Sequence, residues 1–340
     1  LMTRRQITCR ARSQCGITLV ELMVGMAIGL IVVVGLAVVF ANSSRAGREL
    51  DGTSRQIENG RYAADLLAQE LAATGFYGEV PAAGAVYATP DACATALDQL
   101  GWDNDTKKRP SPLEGKTVAE LAVLTCASYS SGTSPGVVLR RLETTPTPQA
   151  SVDDSKGIAY VQTSQCNTDT ASIAYVFAAQ KSAFTLRNLA CNAAADVRRY
   201  ITRIYYVASC NECTGSAADK IPTLKRAELT GNTITVTPLA SGIEHVALEY
   251  GFDTNNDGVP DVYRTTLSGV AGAEDNKWEN VVTVRVYVLA RTDDESTGPV
   301  PAKSYVMGLH GTLGPYADKH KRKLFVTTAK LQNVAGHRER

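Results

Sequence analysis

An uninterrupted apolar run near the start of the chain is the strongest pattern in the sequence. From Ile17 to Ala41 only one residue, Glu21, is charged. At a rise of about 1.5 Å per residue, a helix of roughly 25 residues crosses the hydrocarbon core of a bilayer, which is about 30 Å thick. We therefore expect residues 17–41 to form a transmembrane helix.

The helical pattern continues beyond this run in an amphipathic form. Apolar residues recur at helical spacing at Leu50, Ile57, Ala64, Leu67 and Leu71, and charged residues fill the positions between them. This periodicity places the apolar residues on one face of a helix. The segment Gly75-Phe76-Tyr77-Gly78, followed by Pro81, predicts the end of that helix near Thr74. Residues 42–78 are therefore expected to be the amphipathic half of one long N-terminal helix.

From residue 80 onward the pattern changes to short runs that are typical of strands, separated by turn residues. The candidate strands are 118–125, 136–142, 158–162, 173–178, 200–208, 224–229, 233–238, 246–252, 281–291 and 324–332. A long helix followed by mostly antiparallel strands predicts an α+β architecture. In this architecture the helix packs on a large β-rich globular domain, residues 79–340.

A short basic segment precedes the apolar run and carries Arg4, Arg5, Arg10 and Arg12 without any acidic residue. This charge pattern keeps a segment on the cytoplasmic side of a membrane. A carboxylate within an apolar segment is costly in lipid, and it therefore indicates a functional role for Glu21. An ordinary signal peptide fits poorly, because the apolar run is long and no A-x-A-like site ends it. An uncleaved signal anchor is the alternative.

Residues 16–21 read Gly-Ile-Thr-Leu-Val-Glu. They resemble the prepilin-peptidase motif of type IV pilins, which reads Gly, a hydrophobic residue, Thr, Leu, any residue and Glu. The resemblance implies that residues 1–16 are a leader removed by cleavage after Gly16, and that Ile17 becomes the N-methylated first residue. It also implies that Glu21 neutralises the α-amine of Ile17, in its own or a neighbouring subunit, during filament assembly. The alternative for Glu21 is a carboxylate that only lies at headgroup depth.

Several later segments resemble the PilW group of large minor pilins. They are residues 61–70, 204–207, 221–226, 281–291 and 321–333. This resemblance implies a minor pilin, without enzymatic activity, that helps to initiate type IV pilus assembly within a tip or priming complex. Such a complex would support adhesion, twitching motility or DNA uptake.

The same resemblance implies a set of partners and a location. The partners are other minor pilins, the major pilin, a large tip adhesin, the prepilin peptidase and the inner-membrane assembly platform. The expected location is the inner membrane, crossed once with the C-terminal domain in the periplasm, and afterwards the pilus at the cell surface.

Two other classes of protein stay open. A minor pseudopilin of a type II secretion system shares the motif, although the largest pseudopilins typically lack the acidic residue that Glu21 supplies. A membrane-anchored periplasmic thiol oxidoreductase would use Cys210 and Cys213, which form a C-x-x-C motif.

Six cysteines lie beyond the membrane segment, in the part expected to be periplasmic, where disulfides form. They are Cys93, Cys126, Cys166, Cys191, Cys210 and Cys213. Six cysteines allow 15 connectivities, which the sequence does not resolve. A structural disulfide is the favoured reading of Cys210–Cys213, because no second C-x-x-C and no His pair accompany it to make a zinc site. We expect Cys93–Cys126 and Cys166–Cys191 for the other two pairs.

The segment from Asp253 to Asp261 (DTNNDGVPD) is a candidate calcium loop. Asp253, Asn255, Asp257 and Asp261 would supply side-chain oxygens, and Val259 a backbone carbonyl, which are the ligands that Ca²⁺ prefers. Arg264 occupies the place of the bidentate glutamate of an EF-hand, so we expect a shortened, non-EF calcium loop between two strands rather than a true EF-hand. The alternative is an Asn/Asp-rich turn without a metal.

Charge and motif content indicate neither nucleic-acid binding nor catalysis. The net charge of +1 falls to about −3 once the four leader arginines are removed, which gives no basic surface for nucleic acid. The four histidines match no metal-binding or triad spacing that the sequence shows, and no phosphate-binding loop is present. The sequence therefore predicts no direct nucleic-acid binding and no enzyme.

Overall fold

The computed structural model of the chain describes residues 18–81, 85–103, 105–169, 175–267 and 277–338. Its longest element is helix α1 (Leu19–Ala73), in agreement with the helix expected from Ile17 to about Thr74. The chain divides into two compact units, and the boundary between Asp51 and Gly52 falls within α1. Each unit is described separately below.

The described part of the first unit consists of Thr18 and the residues of α1 up to Asp51. Thr18 caps the helix, because its hydroxyl oxygen accepts a hydrogen bond from the backbone N–H of Glu21 at 3.2 Å. Its carbonyl oxygen accepts the N–H of Leu22 at 3.1 Å. A side-chain oxygen at this position satisfies a backbone donor that the first helical turn leaves unpaired, which fixes where the helix begins.

In the second unit, the remainder of α1 is buried along one stripe, and half of its buried residues are small. The buried positions are Gln56, Gly60, Ala63, Ala64, Leu67 and Leu71. The predicted face is wrong at its first two positions, since Leu50 is 71% exposed and Ile57 36% exposed. The buried face instead passes through Gln56 and Gly60, and the ring of Phe325 lies directly over Gly60.

The end of α1 matches the predicted stop. Thr74 donates its hydroxyl to the carbonyl of Glu70 at 2.8 Å. Gly75 follows with φ of +77°, a left-handed conformation that glycine adopts without steric cost and that commonly ends helices.

After α1, the described residues form two short α-helices, α2 (Val118–Ala122) and α3 (Gln332–Ala335), six short 3₁₀ turns and fifteen strands. The strands are β1 (Val86–Ala88), β2 (Lys108–Pro110), β3 (Leu113–Lys116), β4 (Gly136–Leu142), β5 (Tyr160–Thr163), β6 (Tyr175–Ala178), β7 (Val197–Ala208), β8 (Thr223–Thr230), β9 (Thr233–Ser241), β10 (Ile243–Phe252), β11 (Val262–Arg264), β12 (Val281–Arg291), β13 (Tyr305–Val306), β14 (Thr312–Leu313) and β15 (Arg322–Lys330).

Two antiparallel sheets carry most of these strands. The larger sheet runs β3-β4-β7-β5-β6, with β8 paired to β7 and β9 paired to β8. Strand β7 organises it, because Tyr200–Tyr205 pairs with β4, Val197–Arg199 with β5 and Arg203–Ala208 with β8. The second sheet has the order β11-β10-β12-β15. Two small pairs complete the described strands: β1 lies parallel to β2, and β13 antiparallel to β14.

The main core joins α1 to both sheets. Leu67 and Leu71 of α1 lie in one apolar cluster with residues of β4 and β7 from the larger sheet and of β10 and β12 from the smaller one. Val284, Val286 and Val288 alternate along β12, so that the same face of this strand enters the cluster at every second residue. The fold is therefore the predicted α+β arrangement, a long helix with an antiparallel β-rich domain.

One predicted strand is wrong. Residues 118–125 contain helix α2 rather than a strand. Thr117 and Glu120 form a reciprocal capping box, in which each side chain accepts the backbone N–H of the other residue. This T-x-x-E spacing favours a helix start over the apolar strand pattern of Val118, Leu121 and Val123.

Candidate functional site

The start of α1 presents an exposed apolar surface with one carboxylate in it. From Leu19 to Phe40 the large apolar side chains are between 52% and 76% exposed. Among the described helices, α1 is the one that is long and apolar enough to cross a membrane. Such a surface, on a helix that buries none of this segment against its own unit, needs lipid or another apolar surface to cover it.

Glu21 lies in the first turn of α1 and is exposed. Gly25 follows one turn later, and no atom lies within 4 Å of the position that a Cβ would occupy there. The carboxylate therefore stands beside an open strip of helix surface, where a second helix can approach. The predicted cleavage and methylation residues, Gly16 and Ile17, lie outside the described residues.

The six cysteines of the β-rich domain form three disulfides, Cys93–Cys126, Cys166–Cys191 and Cys210–Cys213. These are the pairs expected from the sequence. The first joins the segment before β2 to the segment after α2, and the second joins two loops that flank β6. Each disulfide is a covalent link that limits the conformational freedom of the unfolded chain.

The C-x-x-C disulfide lies in the loop that follows β7. The ammonium group of Lys225 lies 3.2 Å from Cys213 Sγ, and burial lowers the pKa of Lys225. Asp219 organises the same loop, because its carboxylate accepts the backbone N–H groups of Asn211, Glu212 and Ile221. These hydrogen bonds order the loop around the disulfide.

The candidate calcium loop lies between β10 and β11, and Asp253 is its buried centre. Its carboxylate accepts the N–H of Asn256 at 2.6 Å and that of Gly258 at 2.9 Å. The guanidinium of Arg338 lies 3.3 Å from the same carboxylate. Asp253 is therefore engaged as the cap of a turn and as the partner of a cation.

The other predicted ligands also bond within the loop. Asp257 accepts the N–H of Val259 at 2.8 Å, and Asn255 donates to Asp257 at 3.1 Å. Thr254 donates its N–H to Asp261 at 2.7 Å, which lowers the pKa of Asp261. Within the described ranges, no group of three or more His, Cys, Asp and Glu side chains is placed to hold a metal ion. These contacts form a turn without help from a cation, and calcium binding stays a prediction.

Three histidines, His245, His310 and His320, are packed within the β-rich domain. A ring nitrogen of His310 lies 2.9 Å from the carbonyl of Leu248, and one of His320 lies 2.8 Å from the carbonyl of Thr292. His245 is buried on β10, and its pKa is lowered to about 4, by desolvation first and by the nearby His310 second. Desolvation favours the neutral imidazole in this position.

Polar side chains that sequence reasoning did not single out hold α1 and the sheets together. The side-chain amide of Gln56 donates to the carbonyl of Ala290 at 2.8 Å and to that of Lys321 at 2.7 Å. Asn333 donates its side-chain amide to the carbonyls of Ala73 and Thr74 at 3.2 Å, where α1 ends. The only sequence signal for Gln56 is a polar residue between apolar helical positions, which is too common to identify such a contact.

Comparisons with known proteins match two parts of the chain. Residues 11–37 match the prokaryotic N-terminal methylation motif, and residues 204–333 match the family model of type IV pilus-assembly protein W, PilW. No curated protein matches the chain. Among solved structures, it is similar to the type IV-like pilin TTHA1219 from Thermus thermophilus, with 13% identity and a TM-score of 0.33 over 84% of this chain and 98% of that chain. The first match lies at the start of the chain, and the second runs from within β7 into α3. In these two parts the chain is similar to PilW-like type IV pilins.

Proposed function

We propose that this chain is a minor pilin that helps to initiate type IV pilus assembly as part of a minor-pilin complex. The observation that carries the proposal is the combination of the methylation motif with a PilW match in the β-rich domain. The motif alone would suit any protein of the pilin type. The PilW match favours a pilus-assembly role over a secretion system, and no enzymatic activity is expected of it.

The N-terminal segments have separate roles in this proposal. Residues 1–16 are the leader, residues 17–41 hold the protein in the inner membrane, and residues 42–78 connect them to the β-rich domain, residues 79–340, in the periplasm. Cleavage after Gly16 frees the α-amine of Ile17, whose reference pKa of about 7.7–8.0 leaves it largely cationic at neutral pH.

Glu21 supplies the charge that balances this amine. An unpaired cation in an apolar helix bundle is costly, whereas a cation paired with a carboxylate is less so. The pair would form only when helices are in the correct axial position, so that Glu21 would select the register of neighbouring subunits. The open surface beside Gly25 supports this role, because a second helix can approach the carboxylate there.

The large β-rich domain suits a position at the tip of the filament. Domains along a repeating shaft must fit a helical lattice, whereas a tip subunit is free of neighbours on one side. A tip position places the domain where adhesion to a surface, or contact with a large adhesin, takes place. Other minor pilins and the major pilin are the expected neighbours below it.

A complementation experiment in the native host tests the proposal. A deletion strain receives the wild-type gene, Glu21→Ala, or Glu58→Ala as the matched control, since Glu58 is an exposed carboxylate on the same helix. Surface pili are counted by electron microscopy, and membrane levels of each variant are measured by immunoblot. We expect few or no pili in the deletion strain and with Glu21→Ala, and wild-type numbers with Glu58→Ala.

The other outcomes contradict the proposal in distinct ways. Normal piliation in the deletion strain, together with a loss of protein secretion, would indicate a pseudopilin. Normal piliation with Glu21→Ala would leave the chain a pilin but remove the role of Glu21 in assembly.

A further inference from the structure

A cavity of ≈ 340 Å³ lies in the second unit, beside the turn that follows α1. It is bounded by that turn, by β1 and β2, by the segment Trp278–Asn280, and by α3 with the residues after it. Two phenol rings, of Tyr77 and Tyr87, line it. Its other polar lining residues are Arg109, Glu279, Asn333, His337 and Arg338. Neither the membrane helix nor the proposed assembly role uses this cavity.

Arg109 is the unusual residue in the cavity wall. It is only 4% exposed, and its guanidinium lies 5.2 Å from the ring centre of Tyr77 and 4.7 Å from that of Tyr87. It donates a hydrogen bond to the hydroxyl of Tyr87. Its Nε is buried and has no hydrogen-bond partner among the described residues.

The other buried arginines of the domain show what Arg109 lacks. Arg140, at 1% exposure, contacts the carboxylate of Glu114 at 2.9 Å. Arg322, at 9% exposure, contacts Glu244 and Asp318, each at 2.6 Å. Over the ranges that the structure describes, no carboxylate lies within 4.0 Å of the Arg109 guanidinium. A buried cation without an anion is costly, and two tyrosine rings compensate for only part of that cost.

The charges around the cavity define the anion that fits. Arg338 also lines it, but its charge is already offset by Asp253 at 3.3 Å. Glu279 lines the cavity as well and disfavours a second negative charge there. A single negative charge is therefore preferred over the double charge of a phosphate. The planar fork of a guanidinium matches the two oxygens of a carboxylate.

We propose that this cavity binds a small organic monocarboxylate, whose carboxylate pairs with Arg109 and whose apolar body lies against Tyr77 and Tyr87. The volume is at the lower end of the range for small-molecule sites, roughly 300–1,000 Å³, and accommodates a single ring with its substituents. Asn333, on α3, also lines the wall, but its side-chain N–H groups are donated to the carbonyls of Ala73 and Thr74 and are not assigned to the ligand. Ligand binding here is independent of pilus assembly and would persist in a chain that cannot assemble.

Isothermal titration calorimetry tests this with benzoate, a ring-bearing monocarboxylate, and with benzamide, its neutral counterpart. The full chain is used in nanodiscs of phosphatidylcholine, in a chloride buffer that is free of carboxylate and phosphate. We expect the wild type to bind benzoate and not benzamide. Arg109→Met should weaken benzoate binding on the order of tenfold or more, because a charge-assisted hydrogen bond to the ligand is lost.

Arg285→Met is the matched control. Arg285 also lies over a tyrosine ring, at 3.7 Å from the centre of Tyr263, but it is paired with Glu249 and does not line the cavity. This variant should bind benzoate as the wild type does. If Arg109→Met fails to fold by circular dichroism, Arg109→Lys keeps the charge, removes the planar fork, and should bind benzoate more weakly than the wild type.

Three results would overturn the proposal. The first is an absence of benzoate binding by the wild type up to about 10 mM, where even a weak specific site would be partly filled. The second is equal benzoate affinity in the wild type and in the folded Arg109 variants. The third is tighter binding of inorganic phosphate than of benzoate, which would show that the cavity prefers a different class of anion.

Discussion

At the scale of single residues, buried charge in the β-rich domain is paired with partners that include residues from distant parts of the chain. Arg322 of β15 lies between Glu244 of β10 and Asp318, and it lowers the pKa of Asp318 to about 2 through the hydrogen bonds that it donates. Such groups are costly to bury singly and tolerable in pairs. The sequence does not reveal these pairs, because nothing in the local pattern around Glu244 points to a residue 78 positions away.

Burial of His245 predicts that acid destabilises the domain. Its folded pKa of about 4 lies below the reference value of 6.5. The unfolded chain therefore takes up the proton first, and the stability held by the neutral imidazole is complete above pH 6.5 and is lost as the pH falls toward 4. Between pH 7 and pH 4, this residue is expected to lower the free energy of unfolding by about 3 kcal/mol.

Urea unfolding at a series of pH values, followed by tryptophan fluorescence, measures this loss. His245→Gln, which cannot take up the proton, should show a weaker pH dependence than the wild type over this window. His320→Gln is the control, because His320 is only partly buried. An unchanged pH profile in His245→Gln would contradict the assignment of this titration to His245.

At the scale of elements, the predictable features are those with a strong local signal. The long helix, its end at Gly75, and strands β4 and β12 were predicted closely, because continuous apolar patterns and turn residues mark them. The short strands β1, β2, β11, β13 and β14 were not predicted, since two or three residues carry too little pattern. In α2, the capping box of Thr117 and Glu120 outweighs an apolar run that resembles a strand.

Alanine substitutions at two glycines of α1 are expected to change the stability of the domain differently. A Cβ at Gly60 would lie 2.2 Å from the ring of Phe325, whereas nothing lies within 4 Å of a Cβ at Gly52. Gly60→Ala should therefore destabilise the domain by about 1–3 kcal/mol, since the ring must move. Gly52→Ala should leave stability unchanged or raise it by up to about 1 kcal/mol, because alanine is the better helix former.

Urea unfolding of the two variants beside the wild type measures both effects in one experiment. The comparison is internally controlled, because each variant adds the same methyl group to the same helix. Equal effects of the two substitutions would show that Gly60 is not a close-packing position between α1 and β15.

At the scale of the whole molecule, the sequence predicts the apolar segment with Glu21 but not the cavity around Arg109. The apolar segment with Glu21 follows from composition and charge, and its exposure in the first unit agrees with that expectation. The cavity around Arg109 was not predicted, because Tyr77, Arg109 and Asn333 come from three separate regions of the chain. Only the folded domain brings them to one wall. Sites of this kind depend on tertiary structure, whereas a membrane segment depends on local composition.

The most direct test of the central claim is the intact mass and N-terminal sequence of the protein isolated from its native membrane. A type IV pilin must lose its leader, so we predict a mature chain that begins at N-methylated Ile17. The three disulfides should remain intact in the same sample. An uncleaved chain, or one cut beyond Ala41, would contradict the pilin account and indicate a membrane-anchored or secreted β-rich domain with a different role.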